Sequence, residues 1–267
     1  MKISVITICY NSVRHIEKTI ASVLGQSYHD LEYVIVDGGS HDGTVEIIKA
    51  HAARDARIRW ISEPDQGISD AMNKGARMAS GEIIAHLHSD EFYLDRDVLS
   101  GVDSVLSARP EAVWLTGGFH FVDGAGRFLR EIKVRRYSYR RLIHSNIILH
   151  SATFVRRTAF LEVGGFDLSL NFCMDYHLWL RLGALSDPAI LNRPLSCFCV
   201  HDGSRSLAQA GDAYAEEFRV RLELLKARGF WSFPYLVEYL VKKRLNRLFV
   251  RRLIEAAGNS EPGGSLP

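Results

Sequence analysis

The chain has 267 residues, 47% of them apolar, and its 33 Lys and Arg against 31 Asp and Glu leave a formal charge of +2. A chain of this size and apolarity buries a core sufficient for one sizeable domain, with or without a small appendage, so disorder is excluded as its default. The near balance of charge excludes the basic excess that a nucleic-acid backbone demands, and nucleic acid is not an expected partner.

Ile3 to Ile8 is a continuous apolar run of strand length, followed by Val13, Ile16, Ile20, Val23 and Leu24 at helical spacing, with Asn11 as the expected cap. The run opens without the basic stretch and cleavage site of a signal peptide, and no apolar stretch reaches membrane-spanning length, so a cytoplasmic location is expected. The cysteines Cys9, Cys173, Cys197 and Cys199 form neither a disulfide framework nor a zinc-site spacing, which fits a reducing compartment.

Tyr33 to Val36 repeats the apolar run, Gly38 and Gly39 break it, and Val45 and Ile48 begin a second helix. Ile58 to Ile61 reads as a third strand, Ile68 to Met78 as a third helix, and Ile83 to Leu87 as a fourth strand. Strands alternating with helices predict a mostly parallel sheet covered on both faces, whose ligands bind beyond the carboxyl ends of the strands. Tyr10 and Asn11, Asp37 to Ser40, Glu63 to Asp65 and His88 to Glu91 follow those ends and are expected to line one crevice.

After residue 110 the pattern loosens. Ala112 to Thr116 reads as a strand, and Asp123-Gly124-Ala125-Gly126 as a turn between two more, an antiparallel portion. Asp175 opens an apolar helix through Leu178, Trp179 and Leu182. Helical periodicity resumes near residue 211 and continues to residue 257, and residues 232–257 carry six basic against two acidic side chains. Lys243, Arg247 and Arg251 share one stripe there and Leu240, Leu245 and Leu248 another, which suits either packing on the domain or contact with an anionic membrane. Residues 258–267 are expected to be a disordered tail.

Two clusters have chemistry of their own. Asp37-Gly38-Gly39-Ser40-His41-Asp42-Gly43-Thr44 joins a strand to a helix; its glycines let backbone approach a ligand, and Asp37 is an acceptor for a base or ribose. His88-Ser89-Asp90-Glu91 ends another strand with carboxylates suited to a hard divalent cation. An ordinary turn and solvated acids are the bland readings of each cluster alone.

Taken together, Thr7 with Tyr10-Asn11, the Asp37 cluster, Glu63-Pro64-Asp65-Gln66-Gly67, Asp70-Ala71-Met72-Asn73-Lys74-Gly75 and His88-Ser89-Asp90-Glu91 resemble the family-2 glycosyltransferases, more narrowly the bacterial enzymes of surface-polysaccharide assembly. The resemblance spans about residues 1–205 and implies a GT-A fold: a Rossmann-like, mostly parallel sheet flanked by helices, with a small antiparallel portion and C-terminal helices. It divides the chain into a catalytic domain over 1–210, with a nucleotide-sugar half to about 110 and an acceptor half beyond it, and a helical extension over 211–257.

The resemblance implies an inverting transfer of sugar from a nucleoside-diphosphate sugar, UDP-linked, to a hydroxyl of a saccharide or lipid-linked saccharide. Thr7, Tyr10, Asn11, Asp37, Gly39, Asp65, Asn73, Lys74, His88, Ser89 and Asp90 would then face the donor. Asp90 would hold Mg²⁺ or Mn²⁺, with Glu91 and His201 as further ligands. Met174-Asp175-Tyr176-His177-Leu178-Trp179-Leu180-Arg181 resembles the segment that supplies the base, which makes Asp175 that base. His150, His177 and Trp179 fall on the acceptor side, and lipid-linked acceptors favour the inner face of the cytoplasmic membrane. The sequence departs from the family where His88 replaces Asp or Asn and Glu91 replaces Asp, which motivates a second reading, a non-catalytic nucleotide-sugar-binding module. A dinucleotide oxidoreductase is excluded, because Cys9-Tyr10-Asn11-Ser12 follows the first strand where that reading needs glycines.

Overall fold

The apolar runs of the first ninety residues become parallel strands, and the three inside the sheet are buried on both faces as their hydrophobicity requires. In a computed structural model, which describes residues 1–134, 136–200 and 210–227, the elements begin β1 (Ile3–Cys9), α1 (Ile16–Leu24), β2 (Leu31–Asp37), α2 (Thr44–Ala52), β3 (Ile58–Ser62), α3 (Ile68–Met78) and β4 (Ile83–His86). They continue β5 (Glu91–Tyr93), α4 (Val98–Ala108), β6 (Trp114–Val122), β7 (Phe128–Ile132), α5 (Tyr139–His144), a 3₁₀ turn (His150–Ala152), β8 (Thr153–Arg156), α6 (Arg157–Glu162), α7 (Met174–Leu185), β9 (Ala189–Cys199) and α8 (Ala210–Ala227).

The sheet order is β3-β2-β1-β4-β8-β6-β9-β5, with β7 paired to β6. β1 runs parallel to both β2 and β4, and β2 parallel to β3. The chain thus builds outward from β1 on one side and crosses to its other side for β4, leaving a crevice above their carboxyl ends. β8 then pairs antiparallel with both β4 and β6, and β5 antiparallel with β9. This is the expected GT-A architecture, with the antiparallel part in the second half.

One face of the sheet packs through Ile3, Val5, Tyr33, Ile35 and Ala85 on Ile16, Ile20, Val23, Val98 and Val102 of the covering helices. On the α3 side the approach is closer, since a Cβ at Gly75 would fall 2.3 Å from Cγ2 of Ile6. That contact explains a glycine inside a helix, where its backbone entropy is otherwise a cost. α1 departs from expectation at its start. It begins at Ile16 behind His15, with no side-chain cap; Asn11 lies too early to cap it and adopts φ 48°, its short polar side chain serving the neighbouring loop instead.

Contacts divide the chain into two compact units, Met1–His120 with Glu131–Phe198, and Phe121–Arg130 with Cys199–Pro267. The first contains every candidate site residue described. In the second, Asp123 closes the hairpin turn by accepting from the backbone N–H of Ala125 and Arg127 and from Nε of Arg127 (3.0, 2.9 and 2.7 Å). In α8 the buried Arg221 pairs with Glu217 one turn earlier (2.7 Å). His201 and the stretch 232–257 lie outside the described residues, as does the tail.

Candidate active site

Register places Cys9, Asp37 and Ser62 side by side at the carboxyl edge of β1, β2 and β3. Asp37 is fully buried, so its carboxylate requires donors. Oδ2 accepts from the N–H of Gly39 (3.0 Å) and Ser40 (2.8 Å) and from Oγ of Ser62 (2.7 Å). Oδ1 accepts from Oγ of Ser40 (2.5 Å) and the Cys9 thiol (3.5 Å). Burial alone would raise its pKa, but the Ser40 and Ser62 donors outweigh it and hold the group below its ordinary value. Asp37 is therefore the organiser of the turn through Gly39, whose φ of 84° suits glycine. Thr7 is similarly internal: its Oγ1 donates to the Leu87 carbonyl (2.7 Å) and lies 2.9 Å from the Tyr33 hydroxyl, joining β1 to β4 and β2.

Two loops are stitched together above this edge. Asn11 N–H donates to Oγ of Ser40 (2.7 Å), His41 N–H to Oδ1 of Asn11 (3.1 Å), and Ser12 N–H to Oγ1 of Thr44 (2.8 Å). Tyr10 stays 59% exposed, its ring edge-on to His41 at 6.2 Å; a large aromatic held open at a strand end is a stacking surface. Asp65 reaches the same place, because a Cβ at Gly38 would meet its Oδ2 at 2.7 Å. Lys74 binds the rim of this loop, donating to the Pro64 carbonyl (3.0 Å) and pairing with Glu63 (3.0 Å) and Asp70 (3.3 Å).

The turn after β4 closes the crevice. Ser89 Oγ donates to Oγ of Ser12 (2.9 Å), and the buried Thr19 hydroxyl reaches the carbonyls of Ser89 (2.8 Å) and Glu91 (2.7 Å). Asp90 is half-buried, whereas Glu91 points inward and is only 5% exposed. Oε2 of Glu91 accepts the His88 N–H at 2.8 Å. Its pKa is pushed up to about 8, by burial first and then by Asp90, with Asp175 contributing and the His88 and Ser151 donors opposing. The charges of Asp90 and Asp175 thus act on Glu91, which burial keeps largely protonated at neutral pH. The rings of His88 and His150 lie 4.9 Å apart, and burial holds both below their ordinary pKa.

The donor chemistry fits a cation shared with a ligand. Among the described residues no three His, Cys, Asp or Glu side chains assemble into a metal cage. Asp90 offers a half-buried carboxylate beside the buried Glu91, and Mg²⁺-type ions are commonly held by one or two carboxylates plus substrate phosphates.

Asp175 is half-buried in the first turn of α7, behind Cys173 at the cap position. Its Oδ1 accepts the Tyr176 N–H (2.6 Å) and its Oδ2 the Asn146 amide (3.4 Å). His177 points away, with Nδ1 3.7 Å from Asp167, as two residues of helical rotation require. Trp179 is buried and stacks on Trp114 with centroids 5.8 Å apart. Its Nε1 and both ring nitrogens of His150 have no partner among the described residues, and the two rings lie 6.0 Å apart.

Asn73 serves a different neighbour from the one expected. Its Nδ2 donates to the Phe166 carbonyl (2.8 Å) and its Oδ1 accepts the Phe166 N–H (2.9 Å). Arg181, on α7, donates to the carbonyls of Val163 and of Gly165 (the latter 2.5 Å). Together they fix the segment Val163–Asp167 between α3 and α7. Reading residues alone placed Ser40 on the crevice but missed Ser62, Thr19, Asn146 and the role of Arg181. Arg181 lay inside a recognised segment; the others are isolated polar residues whose partners are distant in the chain.

A family model described as glycosyl transferase family 2 matches residues 4–164. An uncharacterized glycosyltransferase of Mycobacterium tuberculosis is 31% identical over 192 residues, covering 71% of this chain and 71% of that protein. Chondroitin synthase of Escherichia coli is 27% identical over 234 residues, which cover 87% of this chain and 34% of that one. Among solved structures, S. aureus TarS in complex with UDP-GlcNAc superposes with TM-score 0.65 at 17% identity, covering 84% of this chain and 67% of that chain. A mannosyltransferase from Pyrobaculum calidifontis in complex with GDP-Man and Mn²⁺ gives 0.64 at 20%, covering 100% and 76%. The parallel half-sheet with its edge loops and the matched family model lead to one conclusion: this chain is a glycosyltransferase and belongs to glycosyl transferase family 2.

Proposed function

We propose that the chain is an inverting transferase that moves a sugar from a nucleoside-diphosphate sugar, UDP-linked, to an acceptor hydroxyl during assembly of a bacterial exopolysaccharide, lipopolysaccharide or capsule. The observation that carries this reading is the convergence of the Tyr10–Asn11, Asp37–Ser40 and Ser89–Asp90 loops on one crevice, joined by the Asn11–Ser40 and Ser12–Ser89 hydrogen bonds. Tyr10 offers its face to the base, and the turn organised by Asp37 presents backbone and Gly39 to the nucleoside, beside Asp65. Asp90 would hold Mg²⁺ or Mn²⁺, which would supply positive charge against the departing diphosphate. Asp175 takes the proton of the acceptor hydroxyl as its oxygen bonds to the anomeric carbon and the carbon–oxygen bond to the diphosphate breaks. Asn146 and the Tyr176 N–H keep that carboxylate aimed, and His150 and Trp179 form the buried wall of the acceptor side.

The relatives support a nucleotide-sugar donor and leave the nucleotide open between UDP and GDP, since TarS is seen with UDP-GlcNAc and the mannosyltransferase with GDP-Man. A melting-temperature panel of UDP- and GDP-sugars with and without Mn²⁺ tests the reading. A donor that binds the folded chain at 100 times its Kd adds about 2.7 kcal/mol, so one UDP-sugar with Mn²⁺ is expected to raise the melting point by several degrees. No rise with any donor counts against a donor site, and tight binding without turnover counts in favour of the non-catalytic module that His88 and Glu91 motivate.

A further inference from the structure

The polar side chains of α3 divide between two segments. Lys74 holds the Glu63–Gly67 loop through the Pro64 carbonyl and Glu63, and Oδ2 of Asp70 accepts the Gln66 N–H of the same loop (3.1 Å). Asn73 instead meets Phe166, donating to its carbonyl (2.8 Å) and accepting its N–H (2.9 Å). A side-chain amide bonded to both backbone groups of one residue imitates a paired strand and fixes that residue in two directions. Phe166 is 2% exposed, so neither group can turn to water instead.

The segment that Asn73 holds is gripped from its other side by α7. Arg181 donates to the Val163 and Gly165 carbonyls and, through Nε, to the His177 carbonyl of its own helix (3.3 Å). Ser69, one turn before Asn73 in α3, donates to the Leu170 carbonyl (3.4 Å). Gly164 and Gly165 take φ of 84° and 67°, and a Cβ at Gly165 would fall 2.7 Å from Oδ1 of Asn73. The approach of the segment to α3 therefore depends on glycine at that point. Asp175 stands six positions before Arg181 on the same helix, about 9 Å along its axis. Val163–Leu170 is thus a strut between the helix that holds the Asp65 loop and the helix that holds the candidate base.

We propose that Asn73 is a positioning residue for Asp175: through Phe166 and Arg181 it sets where the carboxylate stands relative to the donor, and it touches neither substrate. A general base acts only from the right place, and a displacement of about 1 Å can cost about 100-fold in rate. The proposal rests on the reading of Asp175 as the base.

The test is release of nucleoside diphosphate from UDP-glucose, UDP-GlcNAc and GDP-mannose by the full chain with Mn²⁺, water acting as the acceptor. The water oxygen bonds to the anomeric carbon, the bond to the diphosphate breaks and Asp175 takes the proton. Asn73→Ala is expected to lower kcat about 10- to 100-fold at unchanged KM and unchanged UDP affinity. In an Asp175→Asn background it should change kcat little, since the place of a base matters only while the base is there; a loss that does not act through Asp175 would recur there in full. Arg181→Lys, which keeps the charge but not the fork of donors, should reproduce the kcat loss and replaces Asn73→Ala if that variant does not fold. Unchanged kcat, a rise in KM alone, or equal losses with and without Asp175 overturns the proposal, the second by returning Asn73 to the donor. Asp175→Asn releasing nucleotide at the wild-type rate overturns the base reading and the proposal with it. If wild type releases nucleotide from none of the three donors, amide exchange decides: in Asn73→Ala, exchange raised over residues 163–177 but not in β1 or β2 supports the placement of α7 by Asn73, and no such difference overturns it.

Discussion

Two buried acids on one strand show how position decides what a carboxylate does. Glu32 and Asp37 stand at opposite ends of β2, and both are satisfied by donors. Glu32 accepts from Oγ of Ser4 (2.5 Å), the Ser80 N–H (2.7 Å) and Arg59 (2.8 Å); it lies away from the ligand edge and joins β1, β3 and the turn before β4. Burial would raise its pKa, but these donors bring it down from 4.5 to about 2. A depressed carboxyl stabilises the fold fully above its unfolded pKa and loses that contribution as pH falls through the folded one. Glu32→Gln is therefore expected to cost up to about 3 kcal/mol at neutral pH, at 1.36 kcal/mol per pKa unit. The gap from wild type should close between pH 4.5 and about 2 in melting curves, the interval that the two values define. Asp175, in the first turn of α7, is the proposed base: Asp175→Asn should leave donor binding unchanged and lower turnover by about 10²- to 10⁴-fold, the usual contribution of a positioned base. A variant turning over at the wild-type rate removes Asp175 from the reaction. Asp37, Asp90 and Asp175 were readable in the sequence because each follows a strand or opens a helix inside a recognisable cluster. Asn146 was not, since a single asparagine in a loop shows nothing of the carboxylate it meets 29 positions later.

At the scale of elements, close approach and buried donors set the geometry that the site needs. Gly75 lets α3 approach β1, and Gly75→Ala drives a methyl against the buried Ile6. Overpacking of this kind costs about 1–3 kcal/mol, so the melting point should fall by several degrees. Arg181→Met keeps the stem but removes the donors to the Val163 and Gly165 carbonyls. Each orphaned buried carbonyl costs about 1–3 kcal/mol, and hydrogen exchange should rise over residues 163–167 before it rises in β1 or β2; uniform exchange would show that Arg181 does not pin that segment. β1 to β4 and α1 to α3 were readable because the buried parallel strands β1, β2 and β4 are mainly apolar runs, the edge strand β3 keeps Ile58, Trp60 and Ile61, and their helices keep a 3.6-residue period. β5, with Glu91–Tyr93, and β8, with Thr153–Arg156, are too short to display a period. α4 escaped notice although Val98, Leu99, Val102 and Leu106 are spaced along one face. Expecting Asn11 to cap α1 failed because a residue that favours caps also favours the left-handed turn it takes here.

For the whole molecule, the order β3-β2-β1-β4 assembles side chains scattered over eighty positions. The reversal between β1 and β4 opens the crevice, the Asp37 turn and Asp90 turn close on it, and the 3₁₀ turn and α7 carry His150 and Asp175, the residues proposed for the acceptor side. Among the described residues no helix is long and apolar enough to cross a membrane. The central claim is that the crevice binds a nucleotide diphosphate together with a cation held by Asp90. Calorimetry of UDP, with and without Mn²⁺, on wild type and Asp90→Ala tests it most directly. The account predicts binding that depends on Mn²⁺ in wild type and is weakened by about 100-fold, or roughly 2.7 kcal/mol, in Asp90→Ala at an unchanged melting point. Equal Mn²⁺-dependent affinity in the two proteins would contradict it.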